Sequence, residues 1–133
     1  MDKTEIIKVL NGFPYAREDY WVITGGAMVL YGIKEQTSDI DLGCNQKLAD
    51  ALERDGCLCG HSESGSRRFK YGEHIEVFEN WLNDSVTSAG GFQVITLTGL
   101  IEMKQALGRE KDLRDILLIT EYLKGEEKKP DDH

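Results

Sequence analysis

Apolar residues in the first forty positions recur with two different spacings. Residues 6–10 follow a helical period, and Thr4 and Gly12 are expected to cap and to end that first helix. The continuous apolar run Tyr20–Ile23 is typical of a strand buried on both faces. A Gly-Gly turn and a further apolar helical face then predict a second helix that ends near Gly32.

The later elements alternate in the same way between strands and helices. We predict a helix over residues 46–55, hairpin strands Arg67–Tyr71 and 74–78 joined at Gly72-Glu73, a strand Phe92–Ile95, a helix over residues 99–107 capped by Thr96 or Thr98, and a last helix through Leu123. Strands interleaved with helices predict the α/β (α+β) class. Residues 1–125 are expected to form a single domain, and residues 126–133, which lack apolar side chains, a disordered tail.

Composition limits the classes of protein to which the chain is expected to belong. The 133-residue chain is 40% hydrophobic, as in globular proteins, and no apolar run approaches the ~20 residues of a membrane span. No long apolar segment follows the N-terminal residues, so no secretory signal is expected and the protein is predicted to be cytoplasmic. Cys44, Cys57 and Cys59, an odd number, are expected to stay reduced. With His61, the last two do not match the spacing of a zinc finger.

The net charge of −8, from 24 acids against 16 bases, opposes general binding to nucleic acid. A local basic patch could still bind RNA. The densest patch is Arg67, Arg68 and Lys70 on the predicted hairpin, with Arg68 and Lys70 on one face and Arg67 on the other. These side chains either contact a triphosphate or an RNA backbone, or are simply solvated, and the sequence leaves that choice open.

Two short motifs carry the candidate chemistry. Gly25 and Gly26 lack a Cβ, so a bulky group can approach the main chain, and the helix that begins there presents free N–H groups to an anion. This turn is therefore a predicted phosphate site. Asp39 and Asp41 would lie on one face of the next strand, about 7 Å apart at a rise of roughly 3.3 Å per residue. Such a carboxylate pair, with phosphates nearby, is typical of Mg²⁺ binding.

Gly25-Gly26 followed by Thr37-x-Asp39-x-Asp41 resembles the signature of the nucleotidyltransferase superfamily with the DNA polymerase beta-like fold, and its toxin-like and antibiotic-modifying small members most of all. The resemblance implies a mixed central sheet flanked by helices. It also implies a nucleotide triphosphate on Gly25, Gly26 and Thr37, and Mg²⁺ on Asp39 and Asp41, in a one-metal or two-metal site. A third carboxylate is expected on a later strand.

Glu76 is the predicted third acid and third metal ligand. It lies on the return strand of the hairpin among apolar neighbours, where a charge is costly unless it is paired, protonated or bound to a cation. The family usually has Asp here, and Glu79 and Asp84 are rival candidates. The family also often has an arginine before the Thr-x-Asp motif, where this chain has Lys34. Residues 80–91 are predicted to form a loop that could cover the site.

A second resemblance covers residues 104–115, which are similar to a charged segment that follows the catalytic sheet in small members of the same superfamily. By that resemblance Lys104 contacts phosphate. Arg109, Lys111 and Asp112 would shape the nucleotide side of the cleft. Without the resemblance, charge at this density is usually a solvated helix face.

The reaction that the resemblance implies is in-line transfer of a nucleoside monophosphate from an NTP to a hydroxyl, with release of pyrophosphate. Asp39 and Asp41 would hold Mg²⁺, and Glu76 would act as base or second-metal ligand. The acceptor stays open between an RNA end, a protein side chain and a small hydroxylated compound such as an aminoglycoside or lincosamide. A homodimer or an antitoxin partner, as in a toxin-antitoxin pair, is also open. The alternative is a non-catalytic nucleotide-binding or interaction protein that retains the fold.

Overall fold

The computed structural model describes residues 1–80 and 86–128, with side chains as far as Glu126. Within these residues the strands are β1 (Tyr20–Ile23), β2 (Ile40–Cys44), β3 (Leu58–His61), β4 (Arg67–Tyr71), β5 (Ile75–Glu79), β6 (Val86–Ala89) and β7 (Phe92–Ile95). The helices are α1 (Lys3–Asn11), α2 (Thr24–Leu30), α3 (Gln46–Arg54), α4 (Leu97–Leu107) and α5 (Glu110–Lys128). The described strands form one mixed sheet in the order β3-β4-β5-β2-β1-β7-β6.

Strand β2 lies at the centre of this sheet. It pairs with β1 in the antiparallel direction and with β5 in the parallel direction. The register sets Asp41 beside Ile23 in β1 and beside Glu76 in β5. Because directly paired residues point to the same face, two carboxylates that are distant in sequence meet on one face of the sheet.

The opposite face of the same strands carries the core. Ile40 and Leu42 in β2 and Val77 in β5 alternate with the acids and are fully buried. Helix α2 packs on this face, since its Gly26 lies against the side chains of Val22 and Ile40. One face of β2 and β5 is thus committed to apolar packing, and the other remains for polar chemistry.

Two features at the N-terminal side differ from the prediction. The cap of α1 is Asp2, not Thr4: its side chain accepts a hydrogen bond from the Glu5 N–H at 2.9 Å, and the Glu5 carboxylate accepts one from the Asp2 N–H. This reciprocal capping box satisfies two amides at once, which explains why the helix begins two residues earlier than predicted. Gly25-Gly26 forms no separate turn, because α2 begins directly after β1 at Thr24.

Two polar segments contain regular structure that the sequence pattern does not predict. Val86–Ala89, expected within a loop over the site, forms the edge strand β6, paired with β7 and distant from β5 in the strand order. Residues 81–85 lie outside the described residues. Helix α5 continues past Gly125 through Lys128, since Glu and Lys favour helix and one glycine costs only about 1 kcal/mol. The division of the chain into one domain and a tail stays a prediction.

Other helix boundaries agree closely with the pattern. Asn45 caps α3, which ends at Arg54. Of the two candidate caps of α4, Thr96 is confirmed, because its hydroxyl accepts a hydrogen bond from the Gly99 N–H at 3.1 Å. Among the described residues, no helix has both the length and the apolar content needed to cross a membrane.

Candidate active site

Three acidic side chains face one cavity of about 420 Å³ on the polar face of the sheet. Asp41 in β2 and its neighbour Glu76 in β5 are both half-buried. Asp39 lies one residue before β2, not within it as predicted, and is exposed. It still lines the same cavity as Asp41. The structure therefore brings the three predicted carboxylates together, while their catalytic role stays a prediction.

Among the three acids, Asp41 is repelled by the other two carboxylates. Burial raises the pKa of Asp41, and the charges of Glu76 and Asp39 raise it further. A hydrogen bond from Thr24 and the positive charge of Lys111 act in the opposite direction without outweighing these effects. None of the three acids forms an ion pair with another described residue. Carboxylates that face one another and have no ion-paired base favour the binding of a cation.

The donor set fits a hard divalent cation. Mg²⁺ prefers carboxylate oxygens and is usually held by one or two of them together with substrate phosphates. Asp39, Asp41 and Glu76 supply such oxygens to one shared cavity. Among the described side chains, no three His, Cys, Asp or Glu groups already stand in a metal-binding arrangement. A cation here would therefore have to draw the carboxylates together.

Thr24 is a site residue that the sequence analysis missed. It is the first residue of α2, and its φ of 53° lies in the left-handed region that β-branched residues rarely adopt. Its hydroxyl donates a hydrogen bond to Asp41 Oδ2 at 2.8 Å. Backbone strain of this kind costs on the order of 1–3 kcal/mol and collects at functional sites. The available signal was a hydroxyl residue between a buried strand and two glycines.

Gly25 and Gly26 are required by close packing within the protein. A Cβ on Gly25 would lie 2.6 Å from Thr37 Oγ1, and one on Gly26 would lie 3.2 Å from Val22 Cγ1. The Thr37 hydroxyl in turn donates to the Asp39 carbonyl at 3.2 Å. The absence of a side chain on Gly25 therefore allows the loop that carries the first acid to dock on α2. Contact of these glycines and of Thr37 with a nucleotide stays a prediction.

A second wall of the cavity comes from α4, α5 and Lys34. Lys104 is 4% exposed, and its Nζ lies 2.9 Å from Asp115 Oδ2 and 3.7 Å from Asp112 Oδ1. Asp115 also binds Lys34 Nζ at 2.8 Å. These pairs fix two ammonium groups at the cavity. Phosphate contact by Lys104 stays a prediction, and the structure gives its ammonium two carboxylate partners.

Arg109 lines the same cavity and is engaged by Asp112. Its Nε lies 2.6 Å from Asp112 Oδ2, and its Nη2 lies 3.2 Å from Oδ1. Hydrogen bonds from Arg109 hold the pKa of Asp112 below its usual range. Burial raises the pKa of Asp115, but hydrogen bonds from Lys34 and Lys104 outweigh it and lower the pKa overall. Asp112 and Asp115, the two acids of this wall, therefore each form ion pairs with two bases.

Glu79, the rival candidate for the third acid among the described residues, does not line the cavity. Glu79 binds Arg67 on the core face, with Oε2 2.7 Å from Nη2 and Oε1 3.2 Å from Nε. Hydrogen bonds from Arg67 lower the pKa of Glu79, so this acid is already satisfied. Asp84 lies outside the described residues. Of the described candidates, Glu76 is the one placed beside Asp41.

The fold has a counterpart among solved structures. No model of a known protein family matches the chain, and no curated protein matches it in sequence. The crystal structure of a putative nucleotidyltransferase from Thermotoga maritima is similar to this chain with a TM-score of 0.61, covering 94% of this chain and 96% of that one. The two sequences are 16% identical. This likeness confirms the predicted fold class, a nucleotidyltransferase-like mixed sheet flanked by helices.

Proposed function

We propose that the protein is a Mg²⁺-dependent nucleotidyltransferase, which moves a nucleoside monophosphate from an NTP to a hydroxyl of an acceptor. The observation that carries the proposal is the meeting of Asp39, Asp41 and Glu76 at a cavity whose second wall is basic. An acidic side suits a cation, and a basic side suits phosphate. The fold shared with the Thermotoga maritima protein supports the same function.

The three acids have distinct proposed roles. Asp39 and Asp41 would hold the metal ion, and Glu76 would complete the ligand set or accept the proton of the attacking hydroxyl. When bound, the ion supplies positive charge where negative charge develops during transfer. Thr24 orients Asp41 through the hydrogen bond to its Oδ2. A second metal ion is compatible with three carboxylates but is not required by them.

The triphosphate would lie between the Gly25-Gly26 start of α2 and the basic wall, near Thr37 and Arg109. Lys104 is buried and paired, so it would contribute a fixed positive charge and would not swing toward the ligand. Lys34 also lines the cavity and keeps 31% of its side chain exposed. Direct contact with phosphate is therefore easier for Lys34 than for Lys104.

Two further expectations stay predictions. One is a homodimer or an antitoxin partner, which would make the protein a component of a toxin-antitoxin pair. The other is a cytoplasmic location.

The test is incubation of the purified protein with Mg²⁺ and each NTP, radiolabelled at the α-phosphate, together with RNA, cell protein or an aminoglycoside panel. We expect label in one acceptor pool, lost in Asp41→Asn. Glu102→Gln, an acid-to-amide change at an exposed residue of α4, should keep it. No label in any pool, with NTP binding intact, would overturn the proposal in favour of a non-catalytic nucleotide-binding protein.

A further inference from the structure

The basic cluster of β4 divides between the two faces of the sheet. On the core face, the Arg67 guanidinium contacts Asp50 at 2.8 Å, Glu53 at 3.5 Å and Glu79 at 2.7 Å. Only 14% of its side chain is exposed. Arg67 therefore joins α3 to the sheet, and binding a ligand would require it to give up ion pairs of the fold.

Arg68 and Lys70 point to the other face, which carries the three site acids. In the register of β4 and β5, Arg68 lies opposite Phe78 and Lys70 lies opposite Glu76. Both bases are exposed, and neither forms an ion pair with a described residue. Two unmatched positive charges, about 7 Å apart along β4, therefore lie beside the proposed third acid.

A second cavity, of about 470 Å³, is lined by different residues, at the end of β5 and on the neighbouring strands. Glu76 lines the first cavity, and Phe78, two residues further on the same face, lines the second. The lining of the second cavity also includes Arg68, Asn80, the hydroxyls of the turn over residues 62–66, and the ion pair of Arg67 and Glu79 from the core face. The exposed Arg68 cation and several hydroxyls suit a ligand with anionic groups.

The second cavity lies further along β5 than the acids do. Strands β2 and β5 are parallel, so both run from the Asp39 end of the site toward Phe78. The first cavity includes Asp39 and the basic wall, and the second lies beyond Glu76. In-line transfer places the attacking hydroxyl and the leaving pyrophosphate on opposite sides of the phosphorus. With the triphosphate in the first cavity, the acceptor would approach from the second.

We propose that the second cavity, together with Arg68 and Lys70, binds the acceptor, and that the acceptor is the end of a single-stranded RNA. This proposal rests on the function proposed above. Two cations at successive positions of one strand face suit the successive phosphates of a nucleic-acid strand. The same cations repel the amino groups of an aminoglycoside, which disfavours a cationic small acceptor.

The transfer step is balanced without any further reactant. The terminal hydroxyl oxygen of the RNA forms a bond to the α-phosphorus of the NTP. The bond from that phosphorus to the oxygen that bridges to the β-phosphate breaks, and pyrophosphate leaves with the electron pair. The hydroxyl proton passes to Glu76 or to water. The RNA gains one nucleoside monophosphate.

Fluorescence anisotropy with a short, 5′-labelled single-stranded oligoribonucleotide and the full chain, without NTP, tests the site. Arg68→Glu combined with Lys70→Glu should weaken binding by about tenfold or more, since both phosphate contacts become repulsive. Lys47→Glu combined with Arg54→Glu is the matched control, because it makes the same charge change at exposed residues of α3. The control should change affinity by less than about twofold if the contacts are local.

Neutral replacements give a second measurement. In Arg68→Gln with Lys70→Gln, the slope of log affinity against log salt should decrease by about 1.4, at roughly 0.7 per phosphate contact on a single strand. Equal losses in the β4 and α3 double variants would overturn the proposal, because binding would then follow net charge alone. A wild-type protein that binds no RNA would overturn it as well.

Failure of this proposal and failure of the proposed function give different results. Transfer of label to protein or to an aminoglycoside, but not to RNA, would overturn the acceptor assignment and leave nucleotidyl transfer standing. RNA binding that depends on Arg68 and Lys70, without transfer to any pool, would overturn the transferase and leave the RNA site supported. Transfer to RNA that is reduced in the β4 double variant, with NTP binding unchanged, would support both.

Discussion

Two groups of carboxylates, one at the cavity and one in its basic wall, have opposite electrostatic surroundings. Asp39, Asp41 and Glu76 have one another as neighbours, and burial together with repulsion raises the pKa of Asp41. Asp112 and Asp115 each contact two bases, and their pKa values are lowered. The first group costs the fold free energy, whereas the second contributes to it.

This difference indicates which acids serve the proposed function and which stabilise the fold. Stability alone would not keep three facing acids that form no ion pair with a described residue, because neutral side chains would cost less; such a group is retained where activity requires it. The matched acids, by contrast, fix Lys104 and Lys34 at the opposite side of the same cavity. We therefore interpret the unmatched group as a metal-nucleotide site and the matched group as the support of its basic wall.

The largest effect is expected from removing the buried base of the matched group. Lys104→Met should lower the free energy of unfolding by about 3 kcal/mol, because it leaves Asp112 and Asp115 with one base each in a buried setting. Urea unfolding followed by circular dichroism measures this change. Lys111→Met, at an exposed residue of the same wall, should change stability by less than about 0.5 kcal/mol. A Lys104→Met loss as small as that of Lys111→Met would show that the pairs do not stabilise the fold.

Replacing one acid of each group should change the free energy of unfolding in opposite directions. Asp115→Asn should destabilise the protein by about 2 kcal/mol, since two ion pairs lose their charge. Asp41→Asn should stabilise it by about 1 kcal/mol, because a half-buried, repelled charge is removed while the amide oxygen can still accept from Thr24. The same unfolding experiment at pH 7 without added metal ion measures both. Destabilisation in both variants would contradict the comparison.

The smallest expected effect is the pH dependence of the differences in unfolding free energy between the wild type and its variants. The lowered pKa of Asp112 means that its contribution is complete above an unfolded pKa of about 3.9 and is lost as pH falls through the lower folded value. The raised pKa of Asp41 means that its destabilisation is relieved as pH falls through its folded value. Unfolding of wild type, Asp112→Asn and Asp41→Asn from pH 7 to pH 3 should therefore show both differences shrinking, each by about 1 kcal/mol or less. If the difference in unfolding free energy between wild type and Asp112→Asn increased as the pH fell, the predicted direction of the Asp112 contribution would be wrong.

The local part of the site could be predicted from sequence because it depends on short-range periodicity. A period of two places Asp39 and Asp41 on one side, and the hairpin pattern places Glu76 on a strand. That Glu76 sits beside Asp41 follows from the parallel pairing of β2 and β5, which no local pattern specifies. The fold class was predictable for the same reason, since strand and helix periods are local, whereas the strand order is not.

The parts that sequence reasoning missed depend on contacts between distant elements. Strand β6 is polar and exists through pairing with β7, so its own propensity did not reveal it. The resemblance predicts that Lys104 contacts phosphate, and the charge pattern alone predicts a solvated helix face, but neither predicts that α4 and α5 bury it against Asp112 and Asp115. The position of Thr24 between a buried strand and two glycines does not show its role, because that role depends on an unusual backbone angle.

Thermal unfolding with Mg²⁺ and each NTP tests the central claim, that the unmatched acids form a metal-nucleotide site, most directly. At a ligand concentration 100 times the dissociation constant, binding should stabilise the wild-type protein by about 2.7 kcal/mol. We predict a rise in Tm with at least one NTP that requires Mg²⁺, is lost in Asp41→Asn and is kept in Glu102→Gln. An equal rise in Asp41→Asn, or no rise with any NTP in the wild-type protein, would contradict the claim.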